Sequence, residues 1–266
     1  MTQPTSSETR SPDGSAVPPD AAIDTPTTAG GGGRFWALVL GAAIVAGLAA
    51  WSAGEASLNR IKPRVHAANS RGIVLNLTGR REIALADAQN AGVAFALLGA
   101  SLGAGLGMAG GLVRRSGGAA VRAALVGLFA GAVACALMSL ALLPAYNSYK
   151  ARHPDEASRD LILPLLVHVS IWSAAGAVGG WAFAIGLDAR GPHARIALGG
   201  LAGAALGAIA YELTGAALFP TALTTQFVSL TWETRLLARL AVTVFAAVGA
   251  AIAARDVQTR PASPPC

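Results

Sequence analysis

Charge is scarce in this chain: 13% of its 266 residues are Asp, Glu, Lys or Arg, against roughly a quarter in a soluble globular domain. The shortage excludes a water-soluble enzyme domain, and the charges that exist cluster between long apolar runs. Lysine is nearly missing, with Lys62 and Lys150 beside 18 Arg. The net charge of +6 is therefore an arginine charge. Arginines flanking apolar runs are typical of helix ends at a membrane surface, so no nucleic-acid partner is expected. Cysteine is limited to Cys135, inside an apolar run, and Cys266, the last residue. They are too far apart in any plausible arrangement for a disulfide framework. Cys266 also fails the prenylation pattern, which needs Cys fourth from the end.

Catalytic patterns are missing as well. His66, His153, His168 and His193 fall in four different segments without metal-ligand spacing. His168 and Ser170 are two positions apart on a helix and face different sides, so they form no base–nucleophile pair. No Gly-x-Ser-x-Gly elbow occurs, and neither lysine follows a phosphate-binding loop. Gly105, Gly107 and Gly110 match the dinucleotide spacing, but they follow no strand and sit inside an apolar run. We therefore expect no enzyme activity, no cofactor and no metal. Asn76-Leu77-Thr78 is a glycosylation sequon, which matters only in a luminal loop.

Present instead are six apolar stretches, at about 35–54, 90–113, 120–145, 161–187, 196–220 and 229–254. Each is long enough for a bilayer, which needs about 20 helical residues. The expected fold class is an all-α integral membrane protein, a bundle of six transmembrane helices at 34–255. Residues 1–33 are rich in Pro, Ser, Thr, Asp and Gly and carry one Arg against four acids, so they read as a disordered N-terminal tail. Residues 256–266 read as a C-terminal tail. The long connection 55–89 holds six basic residues, a β-like run at Ile73–Leu77 and a helical lead-in from Arg80 to Asn90. An even number of spans puts both termini on one side. We place that side in the cytoplasm, because its arginines sit flush with helix ends in very short loops. The raw basic count, nine on that side and ten on the other, does not decide. The arginine, alanine and glycine bias suggests a bacterial inner membrane as the location. The expected partners are the lipid bilayer, further copies of the chain and other membrane proteins.

Glycines recur at four-residue spacing in Gly99, Gly103, Gly107 and Gly111, which places them on one helix stripe. Gly127 with Gly131, Gly176 with Gly180, and Gly199, Gly203 and Gly207 repeat the device. Bare stripes let helix backbones approach closely, the main source of helix cohesion in lipid. A repeat is also visible. Gly103 and Gly107 resemble Gly176 and Gly180, 73 positions on. Ala123, Gly127, Gly131, Ser139 and Pro144 align with Gly199, Gly203, Gly207, Gly215 and Pro220, 76 positions on. Two helical hairpins in parallel orientation, one a duplicate of the other, is the reading we adopt.

Three ionisable residues fall within spans: His168, Glu212 and Arg239. Such residues are costly in hydrocarbon and usually face the bundle interior or water. By helix rise, His168 and Glu212 both lie about 10–12 Å from the same membrane face, and Arg239 enters from that face. Because the fifth and sixth spans adjoin in sequence, a Glu212–Arg239 pair is expected. Two functions fit. One is a transporter or channel-like protein for an ion or small solute, with His168, Glu212 and Arg239 as its polar site. The other is a non-catalytic scaffold or assembly protein that uses its glycine stripes to dock partners.

Overall fold

The computed structural model describes residues 29–58, 60–70, 73–153, 162–188, 193–218, 228–229 and 231–259. Among the described residues six helices make the fold: α1 (Ala29–Ser57), α2 (Arg80–Val113), α3 (Gly117–Arg152), α4 (Ile162–Leu187), α5 (His193–Leu218) and α6 (Trp232–Thr259). Each contains a stretch long and apolar enough to cross a membrane. Between α1 and α2 lies an antiparallel hairpin of β1 (His66–Ser70) and β2 (Ile73–Leu77), with His66 opposite Leu77 and Ser70 opposite Ile73. Most of both expected tails, residues 1–28 and 260–266, and Pro220 lie outside the described residues.

The helices match the expected spans in number and differ at their ends. Gly30–Gly33, expected at the end of the tail, form the first turn of α1. Glycine is a poor helix former, but this turn is tied down: Arg255 Nη2 donates to the Gly32 carbonyl at 3.4 Å, and its guanidinium lies over the rings of Phe35 and Trp36. The same contact puts the start of α1 and the end of α6 at one end of the bundle. The expected lead-in to the second span is continuous with it, and Ala86 and Ala88 are already buried. The sixth span, expected from 229, starts at Trp232 because Thr231 caps it, its hydroxyl accepting from the Thr234 amide at 3.4 Å.

Helices α2 and α4 are the centre of the bundle. One face of α2 carries the four-spaced glycines and meets α3. Methyl groups on Gly99, Gly103 and Gly107 would run into the backbone of Gly131, Gly127 and Ala123, and one on Gly111 into Ala120. A second face carries Leu98, Leu102 and Leu106, all buried, and Leu102 and Leu106 pack over Gly179 of α4. A third face offers Gly105 to Ala42 and Ala46 of α1. Small residues thus set the helix spacing and leucines fill what remains. Gly199, Gly203 and Gly207 of α5 face Gly249, Phe245 and Ala241 of α6.

The contacts inside the two hairpins correct the alignment of the repeat. Gly103 meets Gly127 and Gly107 meets Ala123; 73 positions on, Gly176 meets Gly200 and Gly180 meets Ile196. A single shift of 73 therefore relates both helices of each hairpin, and the shift of 76 expected for the second helix does not hold. Under a shift of 76 Gly127 would correspond to Gly203, which faces α6 instead. The turns obey the same shift. Arg115 and Asp188, 73 apart, are the non-glycine residues with positive φ, at 61° and 53°, among the described residues. Each follows its helix in the left-handed position that ends helices. Arg114 Nη2 and Asp188 Oδ2 join the two turns at 3.1 Å.

Candidate functional site

The ionisable residues expected inside the spans gather at the end of the bundle opposite these turns. Counting helix rise inward from the ends of α4, α5 and α6, His168, Glu212 and Arg239 all lie about 9–10 Å deep. His168 and Glu212 meet: Nδ1 to Oε1 is 3.1 Å. His168 is 1% exposed, whereas the Glu212 side chain retains 20% exposure. The imidazole is stacked on Trp172, one turn further along α4, with ring centroids 5.5 Å apart and planes 17° apart. Trp172 in turn leans on Tyr211 at 5.5 Å, and the Tyr211 hydroxyl is hydrogen-bonded to Ser229 Oγ. Four-residue spacing on α4 and adjacency on α5 thus bring one aromatic and one ionisable residue from each helix to the same place.

The expected Glu212–Arg239 pair is not formed. Glu212 is taken by His168 because it turns toward α4, the side of α5 that carries Gly200 and Ala204, and away from α6, which meets Gly203 and Gly207. Arg239 instead points between α1 and α2. Its guanidinium lies 5.6 Å from the Phe95 ring, and Nη2 stands 4.0 Å from where a Gly54 methyl would be. Arg239 is 8% exposed, and among the described residues no carboxylate or carbonyl accepts from its guanidinium. The connection 219–231 contains no acidic residue.

An ion pair not expected from the sequence stands one turn nearer the end of α6. Arg235 grips Glu55 of α1 through two bonds, Nε to Oε1 at 2.5 Å and Nη2 to Oε2 at 2.8 Å, and its Nη1 donates to the Ser229 carbonyl at 2.8 Å. This is the bidentate geometry that makes guanidinium–carboxylate pairs strong. It bolts the first helix to the last and fixes Ser229 under Tyr211. Glu55 lies one residue beyond the span drawn from hydropathy, and Arg235 just inside the start of a drawn span, so neither stood out.

These groups line a partly open cavity of about 20 Å³, walled by Phe95, His168, Trp172, Tyr211 and Ser229 together with Arg235, Arg239 and the apolar Val228 and Ala238. That is space for one water-sized occupant. Trp172 is 4% exposed, and its Nε1 has no hydrogen-bond partner among the described residues. Among the described residues no three His, Cys, Asp or Glu side chains converge as metal ligands would. The chemistry on offer is hydrogen-bond donation, positive charge and, at His168–Glu212, a place for a proton.

The remaining candidates are the glycine stripes, and every one of them faces a neighbouring helix of the same chain. Trp172 was the most legible of the overlooked site residues, since it follows His168 by one helical turn. Tyr211 and Ser229 carry no sequence signal of their own. Comparison with known protein families, with curated proteins and with solved structures finds no match for this chain.

Proposed function

We propose that the chain is a six-span integral membrane protein that handles an ion or small solute at the level of His168, Glu212 and Arg239. The observation that carries this reading is the buried polar level itself: a His168–Glu212 contact and, among the described residues, an arginine without an anion and an indole N–H without an acceptor, around a small cavity in an otherwise apolar bundle. Intramembrane ionisable groups are expensive and usually mark solute pathways or proton relays. The outer surface supports the membrane setting. Val121, Leu125, Phe129, Val133 and Leu137 form an exposed apolar stripe along α3, with Phe129 66% exposed. In water such a patch would drive aggregation; in hydrocarbon it is at home. The duplicated hairpin fits the parallel internal repeats on which some transporters are built. In this reading both termini are cytoplasmic and the membrane is a bacterial inner membrane.

The alternative, a scaffold that docks partners through its glycine stripes, has less support, because those glycines are already covered within the chain. The discriminating experiment is solute entry into proteoliposomes. Vesicles containing the purified protein are challenged with a panel of salts and small neutral solutes, and volume change is followed by stopped-flow light scattering. We expect entry of at least one solute above protein-free vesicles, reduced at least tenfold by Glu212→Gln or Arg239→Gln. Folded protein without entry of any solute would reject the transport reading in favour of the scaffold.

A further inference from the structure

We propose that the cavity beside Arg239 is a binding site for a small monovalent anion of halide size. The proposal names a ligand class for the polar level described above, and it relies on the transport reading only for the meaning of that binding.

Charge comes first. Among the described residues around the cavity, Arg235 is neutralised by both carboxylate oxygens of Glu55, and Glu212 is engaged by His168. Arg239 is left with no anion, 8% exposed, its guanidinium against an aromatic face. A cation–π contact offsets only part of the cost of removing a guanidinium from water. An anion beside Arg239 would supply the compensation that, among the described residues, no carboxylate in contact with it gives.

Hydrogen bonding points the same way. Trp172 Nε1 is a donor with no acceptor among the described residues, and indole N–H has no other capability. Tyr211 and Ser229 together hold two hydroxyl protons but share one hydrogen bond, so one proton remains for the cavity. The wall therefore presents a guanidinium, an indole N–H and a hydroxyl proton. A metal cation would face the Arg239 guanidinium with no carboxylate among the described residues on the cavity wall, and is excluded by charge. Size then narrows the anion. About 20 Å³ is room for one water-sized occupant, which suits a single-atom anion best.

Chloride is the probe. The apparent melting temperature of the full-length protein in detergent is measured in sodium chloride and in sodium gluconate at equal ionic strength, gluconate being too large for the cavity. Binding to the folded state alone raises stability with ligand concentration. We expect a melting temperature that rises with chloride and saturates, and 35Cl NMR line broadening that titrates in the same range. Trp172→Phe keeps the ring and deletes the donor, and should weaken chloride binding about tenfold. Arg239→Met should abolish it, and should itself be tolerated, because it removes a buried charge that lacks a counter-ion among the described residues.

Equal melting temperatures in the two salts, with no line broadening, would overturn the proposal and leave the cavity to water. So would a chloride response that survives in Arg239→Met. If that variant does not fold, an unchanged chloride affinity in Trp172→Phe overturns the proposal instead. The two readings fail separately. Solute entry without chloride binding sinks the anion site and keeps the transport reading; chloride binding without entry of any solute does the reverse.

Discussion

Shifted by 73 residues, His168 falls on Phe95, Glu212 on Ser139 and Trp172 on Gly99. The hairpins α2–α3 and α4–α5 thus repeat their close contacts, Gly103 on Gly127 and Gly176 on Gly200, and their left-handed turns at Arg115 and Asp188. Yet one carries a hydrogen-bonded His–Glu pair where the other carries a phenyl ring and a buried hydroxyl. Phe95 is 1% exposed, and Ser139 Oγ donates to the Cys135 carbonyl within its own helix at 2.7 Å. The first hairpin therefore achieves this geometry without any charge at those positions. A pair needed only to fix helix registry would be needed in both. The difference favours a functional origin for His168 and Glu212, and it assigns the holding of the frame to glycine.

The largest effects should come from the shared frame. Gly103→Leu and Gly176→Leu each drive a side chain into the backbone of the facing helix, at Gly127 and Gly200. Overpacking typically costs about 1–3 kcal/mol, and backbone cannot move aside as a side chain can, so we expect about 3 kcal/mol or more at both sites. Gly41→Leu is the control, since a methyl there meets nothing within 4 Å. Thermal unfolding in detergent checks the three. A tolerated Gly176→Leu beside a damaging Gly103→Leu would show that the hairpins are not held alike.

The next test exchanges what the frame carries. His168→Phe alone removes the partner of a largely buried carboxylate, and Glu212→Ser alone strips a buried imidazole of its acceptor. Each should cost about 1–3 kcal/mol, the usual penalty for a stranded polar group. The double change His168→Phe/Glu212→Ser installs the residues of the first hairpin and should cost clearly less than the two singles together. Solute entry should be lost in all three. Strict additivity of the stabilities would mean that the 3.1 Å contact contributes nothing, and retained entry in the double variant would detach the pair from function.

Much of this architecture is legible in the residues. The number of helices follows from runs of apolar sequence that exceed the length of a membrane span. The strand Ile73–Leu77 shows in its β-branched start and alternation, whereas its partner His66–Ser70 does not, because His-Ala-Ala-Asn-Ser has no strand pattern and pairs only because β2 is beside it. Counting depth along helices placed His168, Glu212 and Arg239 at one level, but depth does not give azimuth. Whether Glu212 turns toward α4 or α6 depends on which glycines of α5 face which helix, and Gly200 and Gly203, three positions apart, face opposite partners. The same ambiguity put the second half of the repeat three residues out of register. Glu55 and Arg235 escaped because they lie at the ends of apolar runs, where charges are usual and say nothing about pairing.

The smallest effect concerns the two turns, and it separates backbone from side chain. Arg115 and Asp188 both hold positive φ, at 61° and 53°. A left-handed conformation costs a non-glycine residue about 1–2 kcal/mol. Glycine removes that cost but loses about 0.5–1 kcal/mol to its greater freedom in the unfolded chain. Arg115→Gly should therefore stabilise the protein by about 0.5–1 kcal/mol, since the Arg115 side chain is exposed. Asp188→Gly should gain less, for two reasons. Aspartate tolerates this conformation better than most residues. It also gives up the contact with Arg114, an ion pair about half exposed on both sides, at 44% and 49%. Pairs of that exposure contribute about 0–1 kcal/mol, which brings the expected change at Asp188 close to zero. Thermal unfolding of the two variants at low and at high salt checks the division. Screening should narrow the gap between them to the part set by aspartate's greater tolerance, because it weakens the ion pair and leaves the backbone cost untouched. A gap of the same size at low and at high salt would mean that the Arg114–Asp188 contact contributes nothing and that the turns differ in backbone cost alone.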